Sequence, residues 1–399
     1  MDPYRRTRVN HPTISVYSGV QPPDWSHQLP RRRAGVFEVL VMVFGLLAML
    51  ALLWFMSLEG GVISTALLAV AAFLPFLVVM QVLAAVDRWE REPWGTTAIL
   101  AIWGGGIATF FSSIINTAFA LVVELATGDS ALAETLAVIV AAPIVEESLK
   151  GLGVVLILWK RRHRLNSILD GVYYAAVAGA AFAFIENIMY FMQGAMSDGI
   201  GGVGILFVMR GVMSPFLHPM ATSMIGLAAG WTAVRMAQRS TGFLLIPLGW
   251  LAAVAIHAAW NATAVLSSPG TWVALYLFFH LPMFVVWMLF LRSASATEAK
   301  VIARGLQTYV ASGWLLPNEV QMVTTRSGRK SAQAWAKQYG KPSHDSMTAF
   351  LNGCATLGLD EEIMRRLGPD PLRVEHDRQV LQDITQHRQV FLQRAGVRI

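Results

Sequence analysis

The chain has 399 residues, of which 55% are hydrophobic and 14% are charged, and its mean hydropathy of +0.51 is that of a membrane protein. Apolar runs of about 20 residues or more exclude the two or three soluble domains that this length would otherwise hold. The single cysteine, Cys354, excludes an intrachain disulfide framework and a cysteine-rich metal site. The 31 Lys and Arg, against 25 Asp and Glu, mostly border the apolar runs, which favours membrane orientation over nucleic-acid binding.

Residues 1–35 are rich in proline and arginine and predict a disordered basic tail. Eight apolar segments follow, and each is long enough to cross a hydrocarbon core of about 30 Å at about 1.5 Å per helical residue. They lie at residues 36–56, 61–86, 95–126, 131–159, 168–193, 203–234, 243–267 and 271–291. The sequence therefore predicts an all-α protein, a polytopic membrane bundle of about eight transmembrane helices.

From about residue 293 the chain becomes charged and mostly helical in its periodicity, which predicts a small cytosolic helical region at 293–399. Residues 36–292 then form the predicted membrane domain. The loops between apolar segments alternate in charge, because one set carries Lys or Arg and the opposite set, at 57–60, 127–130, 194–202 and 268–270, carries neither. The positive-inside rule predicts eight crossings with both termini in the cytoplasm.

Acidic and imidazole side chains interrupt four of the apolar segments. Glu146 and Glu147 lie side by side, about 19 Å above the predicted inner end of the fourth helix. Glu186, His218 and His257 lie about 21–27 Å above the inner face in the next three helices. A carboxylate at the centre of a transmembrane helix costs about 2.5–3.5 kcal/mol. We therefore expect these side chains to meet in one functional layer of the membrane.

Sequence spacing places two further groups beside this layer. Lys150 follows Glu146 by four residues and Glu147 by three, so its ammonium can neutralise either carboxylate from the same helix. His257 and Asn261 are also four residues apart and share a helix face. Lys150 has two open roles, as a structural counter-ion and as a group that contacts the substrate.

Two further expectations concern the sixth segment. Pro215 and Pro219 flank His218 and predict a kink where the imidazole enters the bundle. Arg210 can extend towards the outer surface or pair with Glu186, and we favour the pairing.

A zinc-dependent route is one chemistry that these residues permit. One glutamate with two histidines is a competent ligand set for Zn²⁺, and catalytic zinc sites keep a position open for water. We assign the metal-ligand role to Glu186, His218 and His257. A further glutamate, Glu146 or Glu147, would then act as the general base on that water.

The same residues also permit a metal-free route. In that route a glutamate deprotonates water while His257 and Asn261 stabilise the oxyanion. The predicted catalytic residues are Glu146, Glu147, Lys150 and Asn261. Both routes end in hydrolysis of a peptide bond within the membrane, and the residue pattern leaves the choice between them open.

The motifs resemble those of the PrsW-type intramembrane proteases, a family distantly akin to the CAAX-prenyl-processing proteases. The matching positions, in chain order, are Glu146, Glu147 and Lys150 in EExxK, Phe182 and Glu186 in FxxxE, His218 in a third motif, and His257 and Asn261 in HxxxN. The loop DRWEREP at 87–93 also looks like a family feature. The resemblance covers most of residues 36–292 and does not include the tail after about residue 293.

This resemblance implies an intramembrane endopeptidase, classed as a presumed metalloprotease with zinc, in a bacterial cell membrane, where some relatives cut anti-sigma factors. It implies the lipid bilayer and a membrane-protein substrate with a transmembrane segment as partners, and no nucleic acid. The natural substrate and the oligomeric state stay open. Two other classes compete with this interpretation: an ion- or proton-coupled transporter that uses the same carboxylates and histidines, and a non-catalytic membrane scaffold that presents the C-terminal region.

Overall fold

The computed structural model describes residues 35–162, 165–236 and 244–396. Within these ranges the chain is helical and has no strand, which confirms the predicted all-α membrane bundle. The basic tail predicted at 1–35 lies outside the described residues, apart from Gly35.

The described residues divide into two compact units. The membrane unit comprises Arg33–Asp87 and Glu92–Arg292, and the C-terminal unit comprises Arg88–Arg91 together with the chain from Ser293 onwards. The helices of the membrane unit are α1 (Val36–Gly60), α2 (Val62–Val86), α3 (Trp94–Thr127), α4 (residues 130–160), α5 (Ile168–Leu206), α6 (Leu217–Arg235), α7 (Leu245–Leu266) and the first part of α8 (Pro269–Ala311). The C-terminal unit contains the rest of α8, then α9 (Pro317–Thr324), α10 (Arg326–Lys337), α11 (Lys341–Leu367) and α12 (Pro371–Arg394).

Each predicted apolar segment overlaps a helix of the membrane unit. By length and composition, six helical stretches among the described residues can cross a membrane. Helix α4 is not one of them, because Glu146, Glu147 and Lys150 interrupt its apolar sequence. The chain from Ile168 to Arg235 is one of these six stretches and has 68 residues. A bend at Asp198 and Gly199 divides it into two helical arms. The number of crossings and the orientation of the termini stay predictions.

The stretch formed by α5 and α6 reverses direction at a bend. Asp198 and Gly199 leave the helical conformation, and Gly199 has φ +60° and ψ −139°, a backbone geometry that only glycine adopts readily. A methyl group added to Gly202 would lie 2.3 Å from the carbonyl oxygen of Gly194, whereas those residues would be about 12 Å apart along a straight helix. The second arm therefore folds back against the first.

The α5–α6 pair forms the buried centre of the membrane unit. In its most apolar stretch 83% of the residues are buried, against 22% in α1 and 17% in α8. The outer helices expose large apolar side chains such as Leu47, Leu67 and Phe278, as a surface in contact with lipid requires. The polar side chains of Asn187 on α5 and of His218 and Thr222 on α6 are buried in this centre.

Among the described residues, short π-helical turns lie at Trp103–Ala108, Ala137–Ala141, Phe207–Met213 and Tyr276–His280. The first contains Gly104, and the Thr109 hydroxyl donates to the Gly104 carbonyl oxygen at 2.9 Å. A methyl group on Gly104 would lie 2.1 Å from the backbone oxygen of Ala178 in α5. The glycine run at 104–106 thus coincides with a local helix distortion and a close helix contact.

The C-terminal unit packs the end of α8 and helices α9–α12 around an apolar core that contains Trp89. The Trp89 indole donates to the Ser295 carbonyl oxygen at 2.7 Å. Arg329 on α10 is also buried and donates to the carbonyl oxygens of Arg88, at 3.2 Å, and of Trp89. Burial lowers the pKa of the Arg329 guanidinium to about 10, which leaves it charged at neutral pH.

Candidate active site in the membrane unit

Glu147 cross-links three helices with its two carboxylate oxygens. Oε1 accepts from the Lys150 ammonium at 2.6 Å on the same helix and lies 3.1 Å from Nδ1 of His257 on α7. Oε2 accepts from the Thr222 hydroxyl on α6 at 2.9 Å. Glu147 and Lys150 are fully buried. Both oxygens of Glu147 are therefore engaged by the protein itself.

Glu146, one residue earlier, has a different environment. Its Oε1 accepts from the side-chain amide of Asn116 on α3 at 3.3 Å. Its Oε2 is buried without a hydrogen-bond partner, and it lies 3.8 Å from Nε2 of His257 and 3.9 Å from the Lys150 ammonium. Because the Glu147 carboxylate binds Nδ1 of His257, that nitrogen carries the ring proton and Nε2 keeps its lone pair. The unpartnered Oε2 of Glu146 and the lone pair on Nε2 of His257 thus face each other.

His218 stands between a cation and a carboxylate. Its Nδ1 lies 3.1 Å from the Lys150 ammonium, and its Nε2 lies 2.9 Å from Oε2 of Glu186. An ammonium only donates, so Nδ1 accepts and Nε2 donates to Glu186. The His218 and His257 rings are 4.8 Å apart and meet edge to face. The Phe182 ring packs 5.3 Å from His218 and 4.2 Å below the Lys150 ammonium.

Local backbone structure explains how His218 reaches this position. The chain leaves helical geometry at 214–216 and α6 begins at Leu217, so His218 lies in the first helical turn. Pro219 is tolerated there because the N–H groups of the first turn have no intrahelical acceptor, so the missing N–H of proline costs no bond. The predicted kink is in fact a helix start. A methyl group on Gly179 of α5 would lie 2.6 Å from the His218 carbonyl oxygen. The absence of a side chain at Gly179 therefore lets α5 and α6 approach closely beside the site.

Glu186 pairs with Arg210, as expected. Arg210 lies in the π turn Phe207–Met213 and forms an ion pair with Glu186. It also donates to the Asn187 side chain at 2.7 Å and stacks 3.9 Å above the Tyr190 ring. Glu186 is therefore held between Arg210 and His218, with its charge balanced inside the protein.

One group of buried side chains is suited to a metal ion. Glu146, His218 and His257 can each offer one ligand atom, and these atoms all lie within 4.8 Å of one another. The unpartnered oxygen of Glu146 and the free Nε2 of His257 fit such an ion. This group contains both predicted histidine ligands, but it contains Glu146 where the sequence led us to assign Glu186.

Asn261 lies farther along α7 and contacts a different part of α4. Its side-chain amide donates at 2.8 Å to the Val138 carbonyl oxygen in the π turn Ala137–Ala141. A π turn leaves a main-chain carbonyl free for such a bond. His280, which we did not include in the site, pairs with the Thr263 hydroxyl at 3.0 Å.

Four residues that contact the site among the described residues were not predicted: Asn116, Asn187, Tyr190 and Thr222. Thr222 follows His218 by four residues on α6, and that spacing could have indicated a shared face. Asn187 is adjacent to Glu186 in sequence but lies on another side of the helix. Asn116 lies in α3 close to other small polar residues, Ser113 and Thr117, and no local pattern connects it with Glu146.

These observations define a helical, multi-pass membrane protein with a buried centre of carboxylates and imidazoles. The model of the family described as PrsW family intramembrane metalloprotease matches residues 92–290, a range that includes every side chain of the centre. The match over residues 92–290 confirms the resemblance to the PrsW family seen in the motifs. The match favours an intramembrane protease over a transporter. Searches of the curated proteins and of the solved structures found no match.

Proposed function

We propose that the chain hydrolyses peptide bonds of membrane-spanning proteins at a centre formed by Glu146, His218 and His257. The proposal rests on one observation. The Oε2 atom of Glu146 is buried without a hydrogen-bond partner and lies 3.8 Å from Nε2 of His257. Buried polar atoms in native proteins almost always have partners. In a hydrolase the natural partner is an activated water molecule or the metal ion that activates it.

The donor set fits zinc, because one carboxylate oxygen with two imidazole nitrogens is a common catalytic combination. We assign the ligand role to Glu146, His218 and His257, and we move Glu186 from ligand to positioning residue. When bound, zinc would lower the pKa of a water molecule and polarise the substrate carbonyl.

Glu147 and Glu186 would orient the two histidines. Glu147 accepts from Nδ1 of His257, and Glu186 accepts from Nε2 of His218. A carboxylate bound to one ring nitrogen selects the tautomer and raises the basicity of the other nitrogen. The nitrogens that face the centre are then Nε2 of His257 and Nδ1 of His218, and the second of these would have to exchange the Lys150 ammonium for a metal ion.

The position of Lys150 favours the metal-free alternative. Its ammonium is fully buried, and it lies 3.1 Å from Nδ1 of His218 and 3.9 Å from the free oxygen of Glu146. The positive charge of Lys150 offsets negative charge from Glu146 and Glu147, which a metal ion would otherwise do. In the metal-free route Glu146 takes a proton from water, and the Lys150 ammonium stabilises the negative charge that develops on the substrate.

A cavity in the membrane unit is lined in part by His218. Its lining includes Pro75 and Phe76 on α2, Phe184 on α5, and Pro215 just before α6. These apolar and aromatic side chains suit the side chains of a transmembrane segment, and Arg210 also lines the cavity. We propose that the scissile region of the substrate lies along this cavity.

Replacement of Glu146 tests the proposal. Glu146→Gln keeps the size of the side chain and its contact with Asn116 but removes the basic oxygen. We expect cleavage of a reporter with one transmembrane segment to fall at least about 100-fold in liposomes. Glu134→Gln, an exposed position on the same helix, is the matched control and should cleave normally. Full activity of the Glu146→Gln protein, correctly inserted, would reject the proposed centre.

Metal analysis separates the two routes. The zinc route predicts about one equivalent of Zn²⁺ at the membrane centre, lost together with activity in the presence of a membrane-permeable chelator and restored by Zn²⁺. Active protein that contains no metal would instead establish the route through Glu146 and Lys150.

A further inference from the structure

A second cluster of potential ligands lies in the C-terminal unit, between helices α11 and α12. Asp360 comes from α11, and His376 and Asp377 come from α12. Each aspartate is only 1% exposed, whereas the His376 side chain is 26% exposed. The cluster is therefore buried on the protein side and reachable from solvent past the imidazole.

The distances within the cluster suit a single ion. Nδ1 of His376 lies 3.7 Å from Oδ2 of Asp360 and 4.0 Å from Oδ1 of Asp377. One ligand atom from each residue lies within 4.8 Å of the others. Two ligands bound tetrahedrally at about 2.1 Å from a metal ion are about 3.4 Å apart. Small side-chain movements would bring all three atoms to one ion.

The three candidate ligand residues differ in how many of their polar atoms have a hydrogen-bond or ion-pair partner. Arg373 forms an ion pair with Oδ1 of Asp360, and Oδ2 of Asp360 faces the cluster. Both carboxylate oxygens of Asp377 and Nδ1 of His376 are buried without a hydrogen-bond partner. Unpartnered buried polar atoms are rare, and here three of them converge on one point. Two carboxylates beside one guanidinium also leave an excess of negative charge at this point.

We propose that Asp360, His376 and Asp377 form a divalent-cation site that joins α11 to α12. The imidazole favours a transition-metal ion such as Zn²⁺ or Mn²⁺ over Mg²⁺ and Ca²⁺, which prefer oxygen ligands alone. The ion would balance the excess negative charge and satisfy the unpartnered atoms of both Asp377 and His376. Its role is structural, because it would hold two consecutive helices of the C-terminal unit together.

The competing occupant is a proton shared by Asp360 and Asp377. A shared proton would satisfy one oxygen of Asp377 but would leave Nδ1 of His376 without a partner. The two occupants make opposite predictions for Asp377→Asn, a neutral side chain of the same size. Asp377→Asn removes a metal ligand, so it should abolish the effect of a bound metal ion. It also resembles the protonated carboxyl group, so it should stabilise the protein if the occupant is a shared proton.

The test uses full-length protein in detergent, stripped of metal and then titrated with Zn²⁺. We expect Zn²⁺ to raise the unfolding midpoint of the wild-type C-terminal unit, and Asp377→Asn to abolish the rise and lower the bound Zn²⁺ by about one equivalent. Asp383→Asn, an exposed position on α12, should behave as wild type. His376→Gln provides a second ligand variant if Asp377→Asn does not fold.

Equal Zn²⁺ content and equal thermal response in the wild type, Asp377→Asn and His376→Gln would overturn the proposal. An Asp377→Asn protein that is more stable than the wild type at every Zn²⁺ concentration would also overturn it, in favour of the shared proton. The proposed protease centre is tested independently, because Glu146→Gln should keep the Zn²⁺ response of the C-terminal unit.

Discussion

Glu146 and Glu147 are neighbours in sequence, yet their carboxylates have different surroundings. Successive residues of a helix point about 100° apart, so one carboxylate faces α6 and α7 while the other also meets α3. Glu147 binds Lys150, His257 and Thr222, whereas one oxygen of Glu146 has no partner. The contacts of Glu147 hold helices together, whereas the unpartnered oxygen of Glu146 can still bind a further group.

Lys150 should therefore be required for stability through its contact with Glu147. Lys150→Met leaves a buried carboxylate unpaired, and we expect a loss of about 3–5 kcal/mol in the free energy of unfolding, measured in detergent. Glu147→Gln in the same chain removes that charge and should recover part of the loss. A double variant that is no more stable than Lys150→Met would show that the ion pair does not account for the effect.

Helix α3 approaches α5 closely at Gly104. Because an added methyl group would lie 2.1 Å from the Ala178 backbone oxygen, Gly104→Ala must move one helix or the other. We expect it to destabilise the protein by about 1–3 kcal/mol in thermal unfolding, although alanine favours helices.

Gly95 on the same helix is the matched control for Gly104. An added methyl group there would have no neighbour within 4 Å, so Gly95→Ala should be neutral or stabilise the protein by up to about 1 kcal/mol. Equal effects of the two substitutions would mean that helix propensity, rather than the contact with α5, governs Gly104.

The C-terminal unit depends on residues from two distant parts of the chain. Trp89 lies in its core, more than two hundred positions before Ser295, to which its indole donates. Thr356 on α11 also donates to the Glu90 carboxylate at 2.6 Å. The segment 293–399 expressed alone therefore lacks part of its own core.

Trp89→Ala should open the C-terminal unit, and the thiol of Cys354 can report this opening. Removing a buried tryptophan costs about 3–5 kcal/mol. Cys354 is fully buried in the same core, and burial raises the pKa of its thiol well above the usual value, so it reacts only when the unit opens. We expect thiol labelling of the native protein to accelerate at least about 100-fold in Trp89→Ala.

Arg91→Ala is the control for Trp89→Ala, because Arg91 belongs to the same short segment but is exposed. Its labelling rate should match that of the wild type. An unchanged rate in Trp89→Ala would show that the core of the C-terminal unit does not require the tryptophan.

Much of this protein could be predicted from local features of its sequence. Hydropathy located the membrane helices. Motif spacing predicted the site candidates Glu146, Glu147, Lys150, Glu186, His218, His257 and Asn261, and the structure brings all of these except Asn261 together. These features are local because a helix repeats every few residues. The composition of a segment therefore indicates the length of its helix, and i,i+4 spacing indicates which side chains share a face of that helix. The family assignment followed from the same motifs.

The partners of each side chain could not be predicted in this way, because they come from helices far apart in sequence. Their identity depends on how each helix is rotated about its axis and how closely small residues let it approach. Those contacts satisfy Glu147 and leave an oxygen of Glu146 free, pair Glu186 with Arg210, and place Trp89 in the core of the C-terminal unit. Helix packing therefore distinguishes a carboxylate with an unpartnered oxygen from a fully bonded one within the same EExxK motif.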